Sequence, residues 1–326
     1  MIVLSQEDVA ALLPPETAIE VVAAAMASVS RGEAELPLRS VVDVGGPNRM
    51  GIMPGRMQNP PCHGIKLVSL YPGNVAAGYS SHQGAMVLFE PGHGTAVAVM
   101  DGGPLTARRT AAASAVATRV LAREDAAVLA MVGAGEQARY HLDALMTVRP
   151  IRELRIASRT EKSALAFAEH ARQRHPQLAV GLTGTDVEAA VRDADIVCTV
   201  TSAPAPVLRG AWIAPGTHLN VVGASIPSKR EVDDETVLRA RVFVDYRPST
   251  FAQAGEIVDM IAAGRIGGEH VVAEIGEVID GTAKGRRGTD EITLYRSLGI
   301  AAQDLACAYH CWDAAGKAGR GVTVRL

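Results

Sequence analysis

The chain has 326 residues, with 32 basic and 35 acidic side chains and a net charge of −3. At roughly 150 residues per domain, that length suggests two domains, and it can bury a core without disulfide or metal staples. A hydrophobic fraction of 48% beside 21% charged residues excludes a disordered chain, a polybasic nucleic-acid binder and an acidic tail, and aromatics at only 4% favour a helix-rich α/β protein over a β-sandwich.

Met1-Ile2-Val3-Leu4-Ser5-Gln6-Glu7-Asp8 has no basic region ahead of its apolar residues, so it does not read as a secretory signal. Ser5 to Asp8 is a capping-box-like start to a first helix over Val9–Leu13. Pro14-Pro15-Glu16 opens a longer helix through Val21, Val22, Ala25 and Met26, ending near Arg31-Gly32. From Pro37 to about Met100, short apolar runs (49–53, 64–70, 85–89 and 96–100) alternate with Gly and Pro. That texture predicts an antiparallel or mixed sheet with tight turns. An Ala-rich helix is expected from Pro104 to about Leu121.

Beyond Ala126 the chain alternates strands (127–132, 153–157, 179–182, 196–200, 217–222 and 242–244) with helices at about 136–147, 162–174 and 187–192. This predicts an α/β fold: a Rossmann-type doubly wound parallel sheet over 119–299. A second α/β domain is expected from both chain ends, 1–118 and 300–326, with a last helix over about 301–315. No apolar stretch is long enough for a membrane span. Cys62, Cys198, Cys307 and Cys311 do not make a disulfide framework and suit a reducing compartment, so a cytoplasmic location is expected.

Met131-Val132-Gly133-Ala134-Gly135-Glu136-Gln137-Ala138 is a G-x-G-x-x-A run between a predicted strand and a predicted helix. Gly133 permits the tight turn, Gly135 lets the backbone approach a pyrophosphate, and Ala138 allows close helix packing, while free helical N–H groups face the anion. About 20 residues on, where an NAD site carries a carboxylate for the ribose, stand Ser158-Arg159-Thr160 and then Lys162. Two cations and two hydroxyls favour NADP(H) over NAD(H), a solvated basic turn being the alternative.

Arg108 and Arg109 at the start of an Ala-rich helix oppose its macrodipole, so either a bound anion or a surface salt bridge must compensate them. Lys66, inside the apolar run 64–68, is either a functional cation or an outward-facing strand residue, and Arg39 after Leu36-Pro37-Leu38 is equally open. Cys307, His310 and Cys311 read as packing residues rather than a zinc site, and no metal is expected.

Taken in order, these motifs resemble the ornithine cyclodeaminase/mu-crystallin family. The stretches are Gly64-Ile65-Lys66, Ser81-His82-Gln83, 105–112, 132–138, Ser158-Arg159-Thr160, Thr199-Val200-Thr201-Ser202, 220–225, 230–235, 274–279 and Ser297-Leu298-Gly299. The resemblance implies a Rossmann domain, a substrate and dimerisation domain from both chain ends, and a homodimer. It implies that Arg39, Lys66 and Arg109 hold a substrate α-carboxylate, and it adds Thr110, Thr201, Ser202 and Gly223 to the expected cofactor site. Cyclodeaminases of the family carry an aspartate at the position of Ser225 and a glutamate at that of Gly51. Without these anions, ornithine's two ammonium groups lack partners.

The texture is closest to the family's NADPH-dependent ketimine reductases. The expected reaction is reduction of Δ1-pyrroline-2-carboxylate or Δ1-piperideine-2-carboxylate to L-proline or L-pipecolate. Lys66 would supply the proton, with Ser225 and Ser297 as pocket hydroxyls. The alternatives are an ornithine cyclodeaminase, an alanine- or opine-type dehydrogenase on an open-chain imine, and a non-catalytic NADPH-dependent binder of a small ligand.

Overall fold

A computed structural model describes residues 1–325, apart from the side chains of Val75 and Ala76. The chain divides into two compact units, Met1–Ala112 with the chain from Gly299 onward, and Ala113–Leu298. The first division therefore falls earlier than the expected 118/119, and the second sits at 298/299. Leu326, the end of the expected 300–326 segment, lies outside the described residues.

The first unit opens with β1 (Ile2–Leu4), α1 (Gln6–Leu12) and α2 (Pro15–Ser30). Ser5 caps α1 by accepting from the Asp8 amide while Asp8 reaches back, and Pro15 occupies the first turn of α2. There follow β2 (Ala34–Glu35), β3 (Ser40–Asp43), β4 (Arg49–Met57), β5 (Cys62–Leu70), β6 (His82–Phe89), β7 (Ala96–Asp101) and α3 (Gly102–Leu121), whose residues from Ala113 on belong to the second unit. The four apolar runs are thus strands β4 to β7. β1, β2 and β3 escaped sequence reading because two to four residues are too few to show alternation.

The second unit contains β8 (Val128–Val132), α4 (Glu136–Val148), β9 (Glu153–Ala157), α5 (Glu161–Arg174), β10 (Ala179–Gly184), α6 (Val187–Val191), β11 (Ile196–Thr199) and β12 (His218–Val221). It continues with α7 (Asp234–Arg239), β13 (Arg241–Val244), α8 (Arg247–Gln253), α9 (Gly255–Ala262), β14 (Val271–Glu274), α10 (Ile275–Ile279) and β15 (Thr293–Arg296). All eight strands pair in parallel in the order β10-β9-β8-β11-β12-β15-β13-β14. Both faces are covered: Leu129 and Met131 of β8 enter one core, Ala130 and Val132 the other. Chain order reverses between β8 and β11, which makes that crevice the switch point of the sheet.

β14 and β15 were not expected. β15 reads Thr-Leu-Tyr-Arg, and its Arg296 is fully buried only because Glu256 and three backbone carbonyls (Val221, Ala224 and Ser297) receive its guanidinium. A charge neutralised from elsewhere in the chain hides the strand pattern.

The chain returns to the first unit through α11 (Ala301–Ala318) and β16 (Val322–Thr323). That sheet runs β16-β1-β7-β6-β5-β4-β2, with β3 also on β4. β1 lies parallel to β7 and its other pairs are antiparallel. α11 packs on α2, β4 and β5. Gly55 and Gly64 make this approach possible, since a Cβ at either would stand 3.1 and 3.0 Å from Leu305 methyl groups.

Candidate active site

Lys66 lies on the inward face of β5, in register with Cys62 and Gly64, and is 2% exposed. The outward-facing alternative is thereby overturned. Its Nζ donates to both carboxylate oxygens of Asp304, at 2.9 and 2.8 Å. Asp304 is fully buried in the first turn of α11, where the free N–H groups of the helix favour a carboxylate. Arg109, on α3, donates from Nε to Asp304 Oδ1 at 2.8 Å and from Nη1 to Gln303 Oε1 at 3.1 Å.

The macrodipole of α3 does not account for Arg108 and Arg109. The helix starts at Gly102 rather than Pro104, so Arg108 and Arg109 sit beyond its first turn, where the dipole matters little. Arg108 donates to the Leu13 carbonyl, and Arg109 is matched by a buried carboxylate rather than by a surface salt bridge. Arg39 donates from Nη2 to the Gly299 carbonyl at 3.0 Å. Gly299 in turn abuts the Arg109 guanidinium, and Arg39 acts electrostatically on Lys66.

Lys66 and Arg109 therefore share one resident carboxylate, while Arg39 is a third basic group that acts on Lys66, so the basic side chains outnumber the acid and leave a place for a second anion. Burial and the neighbouring Arg109 pull Lys66 down to about 7, against the opposing pull of Asp304. Sequence reading missed Asp304. A lone carboxylate in the apolar stretch Ala301–Cys311 was the available signal, because a buried acid needs a cation partner.

In the second unit, Gly133 has φ +108°, and a Cβ there would stand 2.9 Å from the Val200 carbonyl oxygen. Gly135 forms the N-cap of α4 with no side-chain cap and nothing within 4 Å of its missing Cβ, while Ala138 is fully buried against the sheet. An open backbone, uncapped N–H groups and close packing behind them fit a pyrophosphate. Ala134, Glu136 and Gln137 lie along the same turn.

At the end of β9, Arg159, Thr160 and Lys162 are exposed and Ser158 is half-buried. Thr160 heads α5 and donates to Ser163 Oγ, with Glu161 between the two cations. Thr201 and Gly223 are brought together by Glu231, whose carboxylate accepts both amides, and Ser202 is exposed on the loop beside them. Ser225 is half-buried, whereas Ser297 is fully buried with no partner for its hydroxyl among the described residues. Thr110 belongs to the first unit and donates to Thr106. At Gly51 a Cβ would stand 3.0 Å from Val68 Cγ1, so any side chain there requires Val68 to shift by a few tenths of an ångström.

The model of the ornithine cyclodeaminase/mu-crystallin family matches residues 1–318. The mouse ketimine reductase mu-crystallin is 36% identical over 306 residues, covering 93% of this chain and 91% of that one. The solved Δ1-pyrroline-2-carboxylate reductase of Thermococcus litoralis, in complex with NADH and L-proline, superposes with a TM-score of 0.95 at 34% identity, covering 99% of this chain and all of the other. An archaeal alanine dehydrogenase dimer with bound NAD gives 0.93 at 32% identity, covering 100% of this chain and 99% of that one. The chain belongs to the ornithine cyclodeaminase/mu-crystallin family.

Proposed function

We propose that the protein is a nicotinamide-dependent reductase of cyclic imino acids, turning Δ1-pyrroline-2-carboxylate or Δ1-piperideine-2-carboxylate into L-proline or L-pipecolate. The observation that carries this reading is the pairing of Lys66 and Arg109 on the buried Asp304, with Arg39 held beside them on the Gly299 carbonyl. A 2-carboxylate is the handle common to both substrates, and charge-assisted bonds to buried cations hold it in one orientation. The bound dinucleotide supplies the hydride. Lys66, poised near neutrality, donates a proton to the imine nitrogen. Ser225 and Ser297 serve as pocket hydroxyls. Ser225 and Gly51, standing where a cyclodeaminase has acids, argue against ornithine as substrate.

NADPH is the proposed reductant. Arg159 and Lys162 stand exposed at the end of β9 with no carboxylate at Ser158; the T. litoralis relative, by contrast, was solved with NADH. A homodimer is part of the proposal. Leu38, Val41, Val42 and Val44, in β3 and on either side of it, are exposed apolar residues, and the alanine dehydrogenase relative is a dimer. No single helix among the described residues is long and apolar enough to cross a membrane. Four free, buried cysteines agree with the reducing cytoplasm we assign.

The test is oxidation of NADPH and NADH with both cyclic imines, beside ammonia release from ornithine. NADPH consumption without ammonia is expected. Ammonia without net NADPH loss would establish a cyclodeaminase, consumption only with a keto acid and an amine an open-chain dehydrogenase, and ligand binding without turnover a carrier.

A further inference from the structure

Three loops converge at the switch point of the parallel sheet: Gly133 after β8, Val200–Thr201 after β11 and Gly223 after β12. One side chain ties two of them. Glu231 is fully buried; its Oε1 accepts the Thr201 amide at 2.7 Å, while its Oε2 accepts the Gly223 amide at 2.5 Å and the Thr199 hydroxyl at 2.9 Å. The backbone of Glu231 is itself fixed. Its carbonyl accepts the amides of Val207 and Leu208 at 2.8 and 3.0 Å, and Leu208 bridges Val232. The mostly exposed stretch 202–206 is thus closed by one residue, by its carboxylate at the near end and its carbonyl at the far end.

We propose that Glu231 is a positioning residue of the dinucleotide crevice, fixing the loops after β11 and β12 at the spacing that receives the nicotinamide half of the cofactor. The inference rests on the dinucleotide reading of this unit and adds a residue to it. Thr201 and Gly223 give their amides to Glu231, so a ligand meets carbonyls and side chains of these loops rather than those two N–H groups. Gly223 is required by the same contact, because a Cβ there would strike the Thr201 backbone and stand 2.6 Å from Glu231 Oε1. Since Glu231 lies beneath the loops, its effect is on their placement.

The substitution that isolates this role is Glu231→Gln. Whichever way the amide turns, its NH2 faces either the Thr201 or the Gly223 N–H, so one loop is released while volume is kept. Dissociation constants would be measured for NADPH and NADH and for their adenylate halves, 2′,5′-ADP and 5′-AMP, in wild type and variant. The expected result is whole-dinucleotide binding weakened tenfold or more, with the adenylate halves within twofold, because those halves meet Ser158–Lys162 instead. If E231Q does not fold, Gly223→Ala separates the same two loops and should give the same split.

Equal weakening of both ligands would make Glu231 merely structural and overturn the inference. Unchanged binding of both would overturn it equally. Wild-type protein that binds neither dinucleotide would overturn the dinucleotide reading, and this inference with it.

Discussion

Lys66 and Asp304 form a fully buried ion pair in which one ammonium spans both oxygens of one carboxylate, at 2.9 and 2.8 Å, while Arg109 takes a second position on Oδ1. The carboxylate opposes the fall of Lys66, and Arg109 and Arg39 assist it. Since Lys66 is charged only below about 7, a step that needs its proton gives kcat/KM a limb that falls as pH rises through about 7. In Asp304→Asn the opposing charge is gone, so this limb is expected at lower pH. A bound substrate carboxylate adds negative charge, so the limb in kcat should lie above that in kcat/KM. Steady-state rates between pH 5 and about 9 check both; coincident limbs in wild type and variant would remove Lys66 as the proton donor.

Stability follows the same group with the sign unusual for a paired lysine. Its folded value, about 7, lies below the ordinary 10.5, so between those pH values the unfolded chain binds more protons. Stability from Lys66 is therefore lowest below about 7 and rises toward 10.5. Lys66→Met should flatten this rise, visible as a smaller change in Tm across that window. Asp304→Ala should be the costlier change, at ~3–5 kcal/mol, because it leaves two buried cations without their carboxylate.

The extent to which the sequence announced this arrangement differs residue by residue. Gly133 to Ala138 was legible because a nucleotide turn is local: strand, glycines and helix lie within a few residues, and no distant partner is needed. Lys66 and Arg109 were legible as charges but not as a pair, because Asp304 lies 195 residues beyond Arg109. Arg108 and Arg109 illustrate the limit. Adjacent and chemically alike, they diverge on the helix, one to the Leu13 carbonyl and the other to the buried acid. Arg296 hid β15 for a related reason, since its burial depends on Glu256, 40 residues earlier on α9.

Cofactor preference should reside in Arg159. It is exposed at the end of β9, so its contribution comes from one charge-assisted contact to a 2′-phosphate, ~1.5–3 kcal/mol. Arg159→Ala is expected to raise the KM for NADPH about tenfold or more and leave that for NADH within about twofold. Raising ionic strength should erode the NADPH advantage of the wild type and leave the variant nearly unaffected. Equal KM changes for both cofactors would place the 2′-phosphate elsewhere.

Gly299 links two of the three cations, and its glycine character is enforced twice. Its φ of +73° lies in the left-handed region, and a Cβ would press on the Arg109 guanidinium, 3.0 Å from both Cζ and Nη2, while its carbonyl accepts from Arg39. Gly299→Ala should therefore both strain the turn, by ~1–2 kcal/mol, and push Arg109 off Asp304. The control is Gly32→Ala, with φ +76° and nothing within 4 Å of a new Cβ, which carries the backbone strain alone. Both variants should lose a few degrees of Tm, but only G299A should raise the KM for the imino acid, by about tenfold or more, with the KM for the dinucleotide unchanged. If G32A and G299A were kinetically alike, the displaced guanidinium would not matter to substrate, and Arg109 would serve Asp304 alone.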